Sequence, residues 1–246
     1  MTRLAILSDI HGHAIALEAV LADIDRQGVD GLICLGDVAT LGPQPAEVLA
    51  SLRARRCPCV LGNHDEALLH PERAQALHIP ARLNPALTWC AERLTEADWA
   101  FLRACRPVWE LPVGPGTDLL AYHGSPLSNT DSLLATTPSG DLDRWLCHPT
   151  AKLFVGGHTH LQMLRQESGR YVFNAGSVGS AFKAPPRPEQ PTPSLLPWAE
   201  YALVTWDRGL VGIDLRQVPF DLAAFAALTA ASDLPLRGWW LQQYAA

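Results

Sequence analysis

Leu4-Ala5-Ile6-Leu7-Ser8-Asp9-Ile10-His11-Gly12 is the stretch that decides the fold. An unbroken apolar run reads as a buried strand, and it stops abruptly at a hydroxyl, a carboxylate and an imidazole. Residues 14–25 then carry apolar side chains at 15, 17, 20, 21 and 24, the spacing of one helix face, and Gly28 stops that helix. The pattern repeats. Leu32-Ile33-Cys34-Leu35 runs into Gly36-Asp37, residues 45–52 read as a helix, and Cys59-Val60-Leu61 reads as a third strand that runs into Gly62-Asn63-His64-Asp65. Alternating strands and helices predict an α/β sheet (α+β by some schemes), and such sheets bind ligands beyond the carboxyl ends of their strands. Each polar cluster falls at such an end.

Working outward, residues 66–106 read as a helical insertion that leaves the sheet pattern, with Thr95 as an N-cap before Glu96 and Asp98. Strands resume after Pro107. Residues 108–113 and 119–122 pair around Gly114-Pro115-Gly116, and 153–155 form a strand leading into Gly157-His158-Thr159-His160. Residues 163–166 and 171–173 form a hairpin around Ser168-Gly169, and 201–206 and 211–215 form another around Asp207-Arg208-Gly209. Asp221 caps a last helix, 222–231. The proline-rich segment 184–198 is a stiff surface loop, since strands resume at Tyr201. One domain, 1–246, accommodates all of this.

At 246 residues the chain can bury a core that needs no disulfide. A composition of 48% hydrophobic and 18% charged residues excludes wholesale disorder, and no apolar run approaches the roughly 18 residues of a membrane span. A formal charge of −6 leaves no basic excess for coating nucleic acid. Cys34, Cys57, Cys59, Cys90, Cys105 and Cys147 are irregularly spaced, with no CxxC pair, and read as free thiols in a cytoplasmic chain.

The chemistry lies in Asp9-Ile10-His11-Gly12, Gly36-Asp37, Gly62-Asn63-His64-Asp65, His123-Gly124 and Gly157-His158-Thr159-His160. Glycines let the backbone turn and approach a bound group closely. Carboxylate, imidazole and amide oxygen suit Mn, Fe or Zn. Each piece alone is ordinary turn chemistry. All of them in order, each at a strand end, point to a binuclear metal pocket.

This series resembles the D-x-H, GD, GNH(D/E), H and GHxH motifs of the calcineurin-like metallophosphoesterase superfamily. His123-Gly124-Ser125-Pro126, Asn174-Ala175-Gly176-Ser177-Val178-Gly179 and Gly36-Asp37 with Leu41-Gly42-Pro43-Gln44-Pro45 resemble elements of its small prokaryotic phosphodiesterase branch. The resemblance implies a four-layer fold, a central β-sandwich flanked by helices. It implies two divalent metal ions: Asp9, His11 and His160 around the first, Asn63, His123 and His158 around the second, and Asp37 bridging both. It implies hydrolysis of a small phosphoester by a hydroxide held between the ions, with His64 as general acid.

Departures narrow the substrate. Thr40, Leu41 and Gly42 stand where the protein-phosphatase branch carries Asp-Arg-Gly, so the arginine that clamps phosphate and the aspartate that orients the catalytic histidine are missing. That favours a phosphodiesterase acting on a nucleotidic or other small diester over a phosphomonoesterase or protein phosphatase; a dinucleoside polyphosphate hydrolase is the alternative, and a silent scaffold is disfavoured because all seven ligand positions and His64 are intact. His13, Lys183 and Arg187 are candidate substrate contacts. His70, His78 and His148 read as non-ligands, and Trp239-Trp240 as tail packing. The oligomeric state is left open.

Overall fold

The computed structural model describes residues 1–114, 117–186 and 193–244. In chain order the elements are β1 (Thr2–Leu7), α1 (Ala14–Gln27), β2 (Gly31–Cys34), α2 (Pro45–Ala54), α3 (Asn63–Leu69), α4 (Asn84–Ala91), α5 (Glu96–Arg103), β3 (Val108–Gly114), β4 (Thr117–Tyr122), α6 (Ser139–Trp145), β5 (Ala151–Gly156), β6 (Met163–Glu167), β7 (Arg170–Asn174), β8 (Trp198–Asp207), β9 (Leu210–Pro219), α7 (Leu222–Ala231) and α8 (Arg237–Gln242). One sheet has the order β2-β1-β8-β9 and the other β3-β4-β5-β7-β6. Strands β1 and β2 run parallel, as do β4, β5 and β7, so their carboxyl ends gather the loops that follow them.

Period-2 alternation assigns the layers. In β1, Ile6 faces the other sheet, while Ala5 and Leu7 face the helices. In β4, Leu119 and Ala121 point between the sheets, and Leu120 and Tyr122 point out towards α6. The core between the sheets therefore runs through Ile6, Ile33, Val155, Phe173 and Val204. Burying each such side chain contributes about 1.5–3 kcal/mol. Helices α1 and α2 cover the outer face of the first sheet with Leu17, Val20, Ile24 and Leu49, and α6 covers the second with Leu142. This is the four-layer sandwich expected from the motifs. Between Asp118 and Leu119 the β4–β5 register shifts, and Ala151 consequently faces out while Leu153 faces in.

The structure differs from the sequence reading at several elements. Residues 59–61 do not form a full strand. Cys59 bridges Cys34, and Val60 bridges Arg106, as isolated parallel contacts at the edge of β2. Gly62 then turns directly into α3. The helix capped by Asp221, whose carboxylate accepts from the Ala224 N–H at 2.9 Å, is not the last, because α8 follows it. Helix α6 is an addition. Thr95 does cap α5 and exchanges bonds with Asp98 in a capping box. Pro115 and Gly116 of the β3–β4 turn and residues 187–192 of the proline-rich loop lie outside the described residues. No described helix is long and apolar enough to cross a membrane.

Helix α1 is tied to the sheet by a charge as well as by its apolar face. Asp23 is buried and accepts from Tyr201 Oη at 2.6 Å, Arg216 Nε at 2.9 Å and Arg26 at 3.0 Å. Burial alone would raise its pKa. The bonds from Tyr201, Arg216 and Arg26 overcome that and hold it below the ordinary value of 3.8. A depressed carboxylate contributes stability above its unfolded pKa and loses it as pH falls through the folded one. Asp23→Asn is therefore expected to cost about 1–3 kcal/mol at pH 7. The gap between the urea midpoints of variant and wild type should close as pH drops below 3.8. A gap that stays constant with pH would remove the charge from this account.

Candidate metal centre

The loops after β1 and β2 are laced together by backbone bonds. Asp9 N–H donates to Gly36 O at 3.0 Å, His11 N–H to Asp37 O at 2.9 Å, and Gly12 N–H to Val38 O at 2.9 Å. Glycine is required where loops press on carboxylates. A Cβ on Gly62 would overlap Asp37 Oδ1, and one on Gly157 would overlap Ser8 Oγ and Asp9 Oδ2. Left-handed backbone marks the same loops: φ is 51° at Asp9, 49° at His11, 55° at Asp37, 64° at His158 and 57° at His160.

These turns place two buried carboxylates at the middle of the site, each with its oxygens divided. Asp9 Oδ2 accepts from Ser8 Oγ at 2.5 Å and His158 N–H at 3.0 Å. Asp9 Oδ1 is buried with no hydrogen-bond partner, 3.3 Å from His160 Nε2, 3.9 Å from His11 Nε2 and 4.0 Å from His123 Nε2. Asp37 Oδ1 accepts from His64 N–H at 2.9 Å, and its Oδ2 lies 3.4 Å from His123 Nε2 and 3.8 Å from His11 Nε2.

The histidines are oriented from behind. His123 Nδ1 donates to Leu35 O at 2.8 Å, His160 Nδ1 donates to Ser180 O at 2.7 Å, and His11 Nδ1 lies 3.4 Å from Thr40 Oγ1. Such bonds fix the ring and leave Nε2 as the inward donor atom. Asn63 Nδ2 donates to Leu77 O at 2.9 Å, which turns its Oδ1 to within 3.1 Å of His123 Nε2. His11 and His160 bring their Nε2 atoms within 3.2 Å of each other. The His158 ring lies edge-on to that of His123, with centroids 5.1 Å apart.

Charge follows geometry. Burial works against the ionised form of Asp9, but His160 together with His123 outweighs it and brings the carboxyl down to about 2. Burial likewise opposes ionisation of Asp37, and His123 with His64 holds it well below the usual range. Burial opposes charge on His123, yet Asp37 lifts it to about 10, and Asp9 raises His160 in the same way. Burial dominates at His11 and His158, which fall to about 3 and about 4 and so keep a neutral ring with a free lone pair at neutral pH.

Ligand atoms of Asp9, His11 and His160, and of Asp9, Asp37 and His123, lie mutually within 4.8 Å. An orphaned buried carboxylate oxygen ringed by imidazole nitrogens is a poor hydrogen-bond network and a suitable cage for hard-to-borderline divalent cations. Asp9 belongs to both groups. Asp37, the residue anticipated as a bridge, has its Oδ2 between His11 and His123.

The other candidates are placed as follows. His64 packs edge-on to His11 with ring centroids 5.2 Å apart, and its Nδ1 is buried without a partner, so no carboxylate orients it. His13 is 1% exposed; its Nδ1 accepts from the Ala16 N–H at 3.1 Å, capping α1, and Phe225 stacks on its ring at 3.6 Å. It borders a cavity of about 20 Å³ beside His11, and burial lowers it to about 3. Lys183 is exposed and is held by its backbone, donating to Ser194 O at 2.9 Å. Arg187 lies outside the described residues.

Sequence reasoning assigned no role to Asp65, Ser8, Asn174 or Ser177. Asp65 receives the N–H groups of Asp37 at 2.7 Å and Val38 at 3.0 Å, and burial with Asp37's charge pushes it up to about 7. Its position as third residue of α3 was the available signal. Asn174 donates to Gly157 O at 2.6 Å, and Ser177 Oγ donates to Asp9 O at 2.7 Å. Both lie in the quoted 174–179 element, which marked them without saying what they hold.

Comparison with known proteins agrees with this architecture. The calcineurin-like phosphoesterase superfamily domain matches residues 2–190. An uncharacterized protein of Methanocaldococcus jannaschii is 27% identical over 182 residues, 71% of this chain and 69% of its own. The crystal structure of a metallophosphoesterase from Sphaerobacter thermophilus superposes with a TM-score of 0.75 at 23% identity, covering 100% of this chain and 99% of that one. A hypothetical protein of Pyrococcus horikoshii gives 0.76 at 20% identity, covering 96% and 95%. The chain belongs to the calcineurin-like phosphoesterase superfamily.

Gly157→Ala tests the cage without touching a ligand. The added methyl pushes on Ser8 and Asp9. Divalent-ion affinity should fall about 10–100-fold, as for other losses behind a ligand. Elemental analysis and metal titration of folded variant and wild type measure it. Equal metal content would mean that Asp9 is not held where the site needs it.

Proposed function

From that membership and this cage of donors, we propose that the chain is a binuclear-metal phosphodiesterase acting on a small nucleotidic diester. Asp9, His11 and His160 would hold one divalent ion, Asn63, His123 and His158 would hold the second, and Asp37 would serve both. When bound, such ions polarise phosphoryl oxygens and lower the pKa of a coordinated water. Every other task falls to the chain. Asp37 and Asp9 set the charge of the pocket. Asn63, fixed by Leu77 O, and His123, fixed by Leu35 O, keep their donor atoms aimed inward. His64, anchored through its own N–H to Asp37, gives a proton to the leaving oxygen.

The observation that carries the diester preference is that no fixed cation meets the two aspartates among the described residues. Among the described residues Asp9 and Asp37 pair only with histidines, and Thr40, Leu41 and Gly42 occupy the place of an arginine clamp. A monoester brings two negative charges and is best met by such a clamp; a diester brings one. The orphaned His64 Nδ1 fits the same reading, because no carboxylate is bonded to it among the described residues.

With manganese supplied, an aryl phosphodiester should turn over faster than the matching aryl monophosphate. Asp37→Asn should lower diester hydrolysis about 100-fold or more, beyond the effect of losing a group behind a ligand. A strong monoester preference would reverse the assignment. Full activity in Asp37→Asn would remove the metal centre from it.

A further inference from the structure

A second cavity, of about 440 Å³, lies where α2, α5 and the 57–60 segment meet. Its size falls in the range of small-molecule sites, about 300–1,000 Å³. Arg53, Arg56 and Arg106 line it with Phe101 and Trp109, over Cys57, Cys59 and Cys105. No residue of the metal centre contributes to it.

Its charge is not balanced. Arg53 pairs with Asp98 at 3.0 Å and Arg55 with Asp25 at 2.8 Å, and Arg103 pairs with Glu96. Arg56 and Arg106 pair with no carboxylate among the described residues. A chain of formal charge −6 thus keeps two free guanidinium groups at one cavity. The flat surfaces are prepared as well. Trp109 is fixed by Nε1–H donation to Cys59 O at 2.9 Å, and the Arg106 guanidinium lies 4.3 Å from the centroid of its ring. A rigid indole, a guanidinium layered on it and a phenyl ring at the same cavity suit a flat aromatic group. Free guanidinium forks suit a phosphate. Arg56 also holds φ at 49°, the left-handed position just past α2 where glycine would be unstrained.

We propose that this cavity binds a nucleoside monophosphate, its base against Trp109 and Phe101 and its phosphate on Arg56 and Arg106. The site is independent of the metal centre, and its test is arranged to keep the two apart. Adenosine 5′-monophosphate is titrated calorimetrically into the metal-loaded protein and again with EDTA present, which silences the metal centre as a phosphate site. Binding should survive chelation. Arg56→Gly and Arg106→Ala should each weaken it about tenfold, the loss of one charge-assisted contact. Both variants should keep wild-type aryl diester hydrolysis. Arg56→Gly relieves the left-handed backbone, so its unfolding temperature should hold or rise, and lost binding cannot then be laid to misfolding. No binding under EDTA would overturn the site, and so would equal affinity in the variants. Inorganic phosphate binding as tightly as the nucleotide would overturn the aromatic half and with it the ligand class.

Discussion

Two aspartates buried side by side at the ends of β1 and β2 are the constraint on which the site depends. Carboxylates stripped of water are costly unless each oxygen is met by a donor or a cation. The fold meets half of them. Asp9 Oδ2 and Asp37 Oδ1 receive N–H groups from loops far away in sequence. The remaining oxygens face only imidazoles, and His123 and His160 are drawn towards the charged form as a result. This arrangement leaves Asp9 Oδ1 without a hydrogen-bond partner. It is a structure organised around positive charge.

Holding that arrangement has a conformational cost. Asp9, His11, Asp37, His158 and His160 all adopt left-handed backbone, a region that disfavours residues with a Cβ by about 1–2 kcal/mol each. Strain of this kind persists only where the surroundings over-determine it. Here they do: β1 lies between β2 and β8, its side chains interdigitate with both neighbouring layers, and the loop it feeds is bonded to the loop after β2. The rigid core of the sandwich and the strained turns at its edge belong to one design.

Much of this was legible in the sequence because strands that end at metal loops change character within one residue. Leu7 to Ser8 and Leu35 to Gly36 are such changes, and they gave strand positions and donor residues together. What stayed illegible depends on the backbone. Asp65 acts on the N–H groups of Asp37 and Val38, and no side-chain pattern reports a bond between a carboxylate and a distant main chain. His13 sits among polar loop residues, yet it caps α1 beneath Phe225, a residue supplied by the other end of the chain. Helix α6 buries little beyond Leu142, and α8 opens on Leu236 at φ 61°, so neither shows a helical period. Residues 59–61 look like a strand because they are apolar; only Cys59 and Val60 form bridges, to two different segments, since the chain is already turning into α3.

The C-terminal part of the chain, beyond the matched 2–190 region, is nonetheless built into the centre. Strand β8 pairs with β1 along its length and so fixes the strand that carries Asp9. Glu200 N–H donates to Ser177 O at 2.9 Å, and Ser177 in turn holds Asp9 O. Tyr244 Oη donates to Gly179 O at 3.0 Å, in the same loop whose Ser180 carbonyl orients His160. Phe225 packs on His13, two residues from His11. The donor group of Asp9, His11 and His160 is therefore drawn from the two ends of the motif series and aligned in part by residues that no motif contains, Glu200, Phe225 and Tyr244. Its geometry is a property of the whole sandwich, because each left-handed turn is held in place by a layer of the fold that lies behind it.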